Sequence, residues 1–100
     1  MATCDVRIVR RGNIKCAVVP GYVFLNVGDT VVFHAVGSNV VVLVPDNIFT
    51  DGEQVFPISP GTPVSKVIET GTQGIHPYAV YCADHMDFAE GKSPPTMIVL

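Results

Sequence analysis

Residues 22–44 read YVFLNVGDTVVFHAVGSNVVVLV, and this segment carries the strongest signal for the fold class. It contains three apolar runs rich in valine or aromatic residues, at about 22–26, 30–35 and 39–44. Branching at Cβ favours the pleated strand over the helix, so each run is typical of a short strand. A Gly-Asp pair suits the bend between the first two runs. The segment therefore predicts three consecutive strands.

The strand pattern continues on both sides of this segment. Further candidate strands lie at about 5–10, 14–19, 64–69, 77–82 and 96–100, which makes eight in all. Val and Ile together number 25, whereas Leu and Ala together number 9. Residues 45–63 contain four prolines, so we expect a long crossover there with at most one short helical turn. The whole chain is typical of an all-β sandwich or barrel.

Length and charge narrow the range of functions. The 100 residues are enough for one domain, 1–100. A net charge of −3, with four of the six basic residues in the segment 7–15, disfavours a nucleic-acid partner. The longest apolar run, Val40–Val44, is five residues, far short of the roughly 20 that span a bilayer. We find no export-signal pattern at the N terminus and no signal for the oligomeric state.

The three cysteines, Cys4, Cys16 and Cys82, fit neither a zinc ribbon nor a Cys-x-x-Cys redox pair. An odd number leaves at least one thiol free or bound to something else. A hairpin turning at residues 11–13 places Cys4 opposite a residue near position 20, which disfavours a Cys4–Cys16 disulfide.

Residues 78–86, which read YAVYCADHM, carry the chemistry of the chain. Period-two alternation puts Tyr78, Val80 and Cys82 on one buried face, with the thiol at the end of the strand. His85 follows on the next turn. A thiolate and an imidazole three residues apart can bind one metal ion, and copper suits this pair better than magnesium or calcium. The alternative is an inert core cysteine beside a solvent-facing histidine.

Three motifs resemble those of the cupredoxins, the small copper-binding proteins that include plastocyanin and pseudoazurin. Residues 27–33 (VGDTVVF) resemble the family's Gly-Asp-Thr-Val turn and strand, residues 37–41 (GSNVV) its His-Asn-Val segment, and residues 78–85 its Tyr-x-x-x-Cys-x-x-His motif. The resemblance implies a Greek-key β-sandwich of about eight short strands. It also implies a blue-copper electron carrier with a transient redox partner, in the periplasm or outside the cell.

The chain departs from the family at the expected copper ligands. Ser38 stands at the place of the first histidine ligand, and its neutral hydroxyl binds copper poorly. His34 is either a substitute ligand or an ordinary strand-end histidine. Glu90 stands at the place of the axial methionine; Met86 and Met97 are other possible axial donors, although Met97 also fits a core strand. The resemblance thus implies Cys82 and His85 as copper ligands, with a third strong donor and a weak axial donor from among His34, Met97 and Glu90. Ser38 and Asn39 are expected next to these ligands, where Asn39 supports the loop that bears Ser38.

Three functions are compatible with this sequence. The first is a copper-binding single-electron carrier with altered ligands. The second is a metal-free binding module that kept the sandwich and lost the copper site, which Ser38 favours. The third is an enzyme with Cys82 as nucleophile and His85 as base. It ranks last because the buried end of a strand is poorly placed for a substrate, so we expect a protein that is not an enzyme.

Overall fold

The computed structural model describes residues 2–11, 15–83, 87–88 and 94–100. Within these ranges the chain forms strands only, and no helix long and apolar enough to cross a membrane is found there. The strands are β1 (Thr3–Arg11), β2 (Lys15–Val19), β3 (Tyr22–Leu25), β4 (Thr30–Val36), β5 (Val40–Leu43), β6 (Val55–Ile58), β7 (Val64–Val67), β8 (Gly74–Pro77), β9 (Ala79–Cys82), β10 (Asp87–Phe88) and β11 (Thr96–Val99).

The described strands form three sheets around one hydrophobic core, with the orders β2-β1-β4-β7, β10-β9-β5-β6 and β3-β11-β8. Two of the pairings, β1 with β4 and β3 with β11, are parallel and join strands far apart in the sequence. Such pairings require the chain to cross between layers, as it does in a Greek-key sandwich. The prediction of an all-β sandwich is confirmed.

Strand β4 shows how the sequence pattern builds the core. Its side chains alternate in burial, with Val31, Phe33 and Ala35 directed inward. The Phe33 ring lies 5.5 Å from the Phe56 ring and 6.0 Å from the Tyr78 ring, between centroids. These separations are favourable for tilted and edge-to-face aromatic pairs. The rings therefore connect β4 with β6, which belongs to another sheet, and with Tyr78 between β8 and β9.

The turn before β4 is fixed by a carboxylate. Gly28 has a φ of 87°, which favours glycine, and brings the chain into Asp29. Asp29 accepts hydrogen bonds from the backbone N–H of Ala2 (2.9 Å) and of Asn26 (2.8 Å). These two bonds stabilise the charged form and lower the pKa of Asp29 below its usual value. The turn therefore also holds the start of β1.

Three of the described strands, β6, β8 and β10, were not expected. Residues 45–63 were expected to be a crossover without strands, but β6 lies there and pairs with β5. Pro57 is tolerated because β6 is the last described strand of its sheet, and edge strands are where sheets accommodate proline. The strand expected at 77–82 is β9, which begins at Ala79, and the unexpected β8 ends at Pro77 just before it; the two pair with different neighbours on either side of Tyr78. The turn expected at 12–13 lies outside the described residues.

Candidate functional site at the end of strand β9

Cys82 lies at the C-terminal end of β9, in the position that the alternation predicted. Tyr78, Val80 and Cys82 are all buried, and Cys82 is 1% exposed. In the ladder Cys82 pairs with Val40 at the start of β5 and with Asp87 of β10. The sulfur is therefore held inside the sandwich near one end of it.

Cys82 is joined to Cys16 of β2 by a disulfide bond. The two Cα atoms are 6.5 Å apart, within the range that disulfides span. Strand β2 belongs to one sheet and β9 to another, so the bond links these two sheets directly. Cys4 is the free cysteine, and it is half-buried. The register that places Arg7 opposite Val19 carries Cys4 past the end of β2, as expected.

The loop before β5 lies beside the end of β9. Gly37, with a φ of 82°, turns the chain into Ser38, which is buried. The Ser38 hydroxyl donates a hydrogen bond to the carbonyl oxygen of Asn39 at 3.2 Å. That same carbonyl accepts a hydrogen bond of 2.9 Å from the backbone N–H of Ala83, the residue after Cys82. The structure thus brings Ser38, Asn39 and Cys82 to one end of the sandwich.

His34 lies on the other side of its sheet. Its neighbours Phe33 and Ala35 point into the core, so the imidazole faces outward. There its Nε2 lies 2.8 Å from a carboxylate oxygen of Asp5 on the neighbouring strand β1. The structure therefore does not bring His34 to Cys82.

The remaining predicted ligands fall in two groups. Met97 is completely buried in β11, opposite His76 of β8, and belongs to a different sheet from Cys82. His85 and Glu90 lie outside the described residues, as does Met86, so their roles stay predictions. In the described ranges no group of three or more His, Cys, Asp and Glu side chains is placed to hold a metal ion.

The described donors do not fit a blue-copper centre. Copper binds the thiolate form of cysteine, whereas the Cys82 sulfur is bonded to Cys16. The Ser38 oxygen is a poor copper ligand and already donates to the backbone. His34 faces away from the site. A thiolate at position 82 requires that the disulfide first be reduced.

Tyr78 adds no charge to this region. The side chain is buried against Phe33, and its hydroxyl has no hydrogen-bond partner among the described residues. Burial raises the pKa of Tyr78 far above its usual value, because a tyrosinate in the core would lose its hydration. The ring therefore acts as a neutral packing group between β8 and β9.

Comparisons with known proteins identify the fold. No family model and no curated protein matches the chain. Among solved structures, a pseudoazurin from Sinorhizobium meliloti is 16% identical, with a TM-score of 0.63 over 100% of this chain and 75% of that one. A purple cupredoxin from Nitrosopumilus maritimus is 18% identical (TM-score 0.60; 97% and 99% covered). A plastocyanin from Dryopteris crassirhizoma is 18% identical (TM-score 0.51; 97% and 100% covered). The chain therefore has the cupredoxin fold.

Proposed function

We propose that this cupredoxin-fold chain is a non-enzymatic binding module in which a Cys16–Cys82 disulfide replaces the copper centre. The observation that carries the proposal is the bond between the two sulfurs. It occupies the one predicted thiolate ligand. Ser38 supports the same reading, because a hydroxyl bonded to its own loop stands where the cupredoxin resemblance places an imidazole.

The surroundings of the disulfide support a structural role for it. Catalytic and redox-active cysteines are accessible to their substrates, whereas Cys16 and Cys82 are each 1% exposed. A buried bond between the sheets of β2 and β9 stabilises the sandwich and takes no part in redox chemistry. Disulfides persist in oxidising compartments, so we place this protein in the periplasm or outside the cell. The partner is then recognised by the surface of the sandwich.

Copper titration of the oxidised protein tests the proposal. A Cys4→Ser background removes the free thiol, so that any thiolate-to-copper charge-transfer band must come from Cys16 or Cys82. We expect no strong visible band on adding one equivalent of Cu(II) to this protein without reductant. A strong band that disappears when Cys82→Ser is added to the same background would contradict the proposal.

The second candidate is a copper-binding single-electron carrier of blue-copper type. The hydrogen bond between Ala83 and Asn39 favours it, because the loop after Cys82 and the loop bearing Ser38 meet at one end of a cupredoxin fold. In this reading the reduced Cys82 supplies a thiolate and His85 an imidazole. Bound copper supplies one-electron redox chemistry, and a redox protein docks transiently. Glu90 remains the predicted weak axial ligand of the copper ion.

A Ser38→His variant tests the second candidate. With the disulfide reduced, a histidine at position 38 adds an imidazole beside Cys82, so the electron-carrier reading expects copper to bind more tightly than in the parent. Ser65→His is the matched control, since Ser65 is exposed on β7 and reports binding by a surface histidine alone. Equal gains in the two variants would contradict this reading.

A further inference from the structure

One outer face of the sandwich is apolar over the width of three strands. It consists of the apolar side chains on the outer side of the β3-β11-β8 sheet, which lie around the buried Thr96, and we define the apolar face by them: Tyr22, Phe24, Ile75, Pro77 and Ile98. The ladder places Phe24 beside Ile98 and Ile98 opposite Ile75, so these three form one row across the sheet. Side chains in neighbouring positions like these lie about 5 Å apart and form a continuous surface.

The burial pattern shows that this face is turned to solvent. Val23 and Leu25 alternate with Tyr22 and Phe24 along β3 and point into the core. Phe24 is 62% exposed, Ile75 is 70% exposed and Tyr22 is 53% exposed. Such exposure is high for an aromatic or branched aliphatic side chain on a sheet, and the apolar face contains no charged residue.

The exposed area is large enough to be functional. The three most exposed side chains present on the order of 100 Å² each, and the face as a whole about 400–500 Å². Contiguous apolar patches of about 300–600 Å² are the largest that single-chain soluble proteins usually leave open, and such patches often mark interaction sites.

We propose that the apolar face is the contact between two copies of this chain, packed face to face about a two-fold axis. In such a dimer each residue of the patch meets the same patch on the other copy. Because the apolar face carries no charge, this arrangement brings no like charges together. Two stacked sheets also pack well at about 10 Å, the spacing found within sandwiches.

The area of the face sets the expected strength of the dimer. Two copies would bury about 800–1,000 Å² from the apolar side chains alone, and backbone and rim atoms add to this. Specific interfaces begin near about 1,000 Å² in total. We therefore expect a weak, reversible dimer and not a permanent one. The proposal does not depend on whether copper binds.

Sedimentation equilibrium of the whole oxidised chain tests this proposal. Between about 10 µM and 1 mM we expect the average mass to rise from the monomer value of 10.7 kDa towards twice that value. Ile75→Lys should raise the Kd at least about tenfold, since it places a charge inside the apolar contact. Val55→Lys is the matched control, because Val55 is 57% exposed on β6, in another sheet. It should change the Kd less than about twofold.

Two results would overturn the proposal. One is a monomer over the whole concentration range. The other is a dimer that Ile75→Lys and Val55→Lys weaken equally. Phe24→Lys provides a second variant within the apolar face, and far-ultraviolet circular dichroism verifies that each variant is folded. If both folded variants of the face dimerise as well as the parent, the contact lies elsewhere and the proposal is wrong.

Discussion

At the scale of single residues, the state of the Cys82 sulfur determines what the site can do. The sequence was sufficient to predict that this sulfur is buried at a strand end, because period-two alternation fixes the direction of a side chain. It was not sufficient to predict the partner. Cys16 is 66 residues away in the sequence and belongs to another sheet. The two meet only through the packing of the layers, which no local pattern encodes.

Lys66 is a buried cation whose partners predict an asymmetry between variants. Its side chain is 4% exposed and lies 2.6 Å from a carboxylate oxygen of Asp51 and 2.5 Å from one of Glu53. Burial alone would lower the pKa of Lys66, but these two hydrogen bonds outweigh it and raise the pKa. Both carboxylates are about half exposed and remain hydrated without the lysine.

We therefore expect Lys66→Met to cost less than about 1 kcal/mol, because methionine still packs on Phe56 and leaves no buried charge behind. Removing both carboxylates, by Asp51→Asn with Glu53→Gln, leaves the buried cation without a partner and should lower the free energy of unfolding by about 3 kcal/mol. Urea unfolding at neutral pH measures both changes. Equal costs would contradict the view that burial of Lys66 makes the ion pairs necessary.

Asp29 predicts a contribution to stability that depends on pH. Its pKa is lower in the folded protein than in the unfolded chain, because the carboxylate accepts two backbone hydrogen bonds. The stabilisation is therefore complete above the unfolded value of 3.8 and is lost as the pH falls through the folded value. An asparagine side chain in its place would carry no charge and could accept through one oxygen only.

We expect Asp29→Asn to destabilise the protein at neutral pH and to lose that deficit at acid pH, below 3.8, once the parent carboxyl also becomes protonated. The urea midpoint at the two pH values measures this. Glu69→Gln, which removes an exposed carboxylate, controls for the change in net charge. A deficit that is the same at both pH values would show that the charge of Asp29 is not what holds the turn.

At the scale of elements, the strands that matched the prediction are those with regular Val-rich alternation. Strands β3, β4 and β5 lie within two residues of the expected ends. Strand β6 could not be predicted because Pro57 breaks the pattern, although an edge position removes the penalty. The division of β8 from β9 at Tyr78 depends on which neighbours each one pairs with, and pairing partners are not written in a local sequence.

The disulfide between β2 and β9 predicts a large loss of stability when it is removed. Closing a loop of 66 residues stabilises the fold by about 4 kcal/mol at 25 °C, because it reduces the entropy of the unfolded chain. We expect Cys16→Ala with Cys82→Ala to lower the free energy of unfolding by about that amount. Cys4→Ala is the control and should cost less than about 1 kcal/mol. If the double variant is as stable as this control, the disulfide does not stabilise the contact between the sheets of β2 and β9.

At the scale of the whole molecule, a cupredoxin fold and a copper site are separable properties. The resemblance in the sequence correctly gave the sandwich, since turns and strands occur in the same order in the family. It leaves the copper site open, because that site depends on single residues: Ser38 stands where the resemblance places a histidine, and the Cys82 sulfur is bonded to Cys16. The apolar face around Phe24 was not predicted either, because the alternation of buried side chains gives no information about which outward side chains form one surface.

Mapping the cysteines of the protein purified without reductant tests directly whether Cys16 and Cys82 form a disulfide bond. The unfolded protein is alkylated, digested and examined by mass spectrometry, which identifies the sulfurs that carry the alkyl group. We expect alkylation at Cys4 alone and a disulfide-linked pair of peptides containing Cys16 and Cys82. Alkylation of all three cysteines in protein made in an oxidising compartment would contradict this expectation and would leave Cys82 available as a metal ligand.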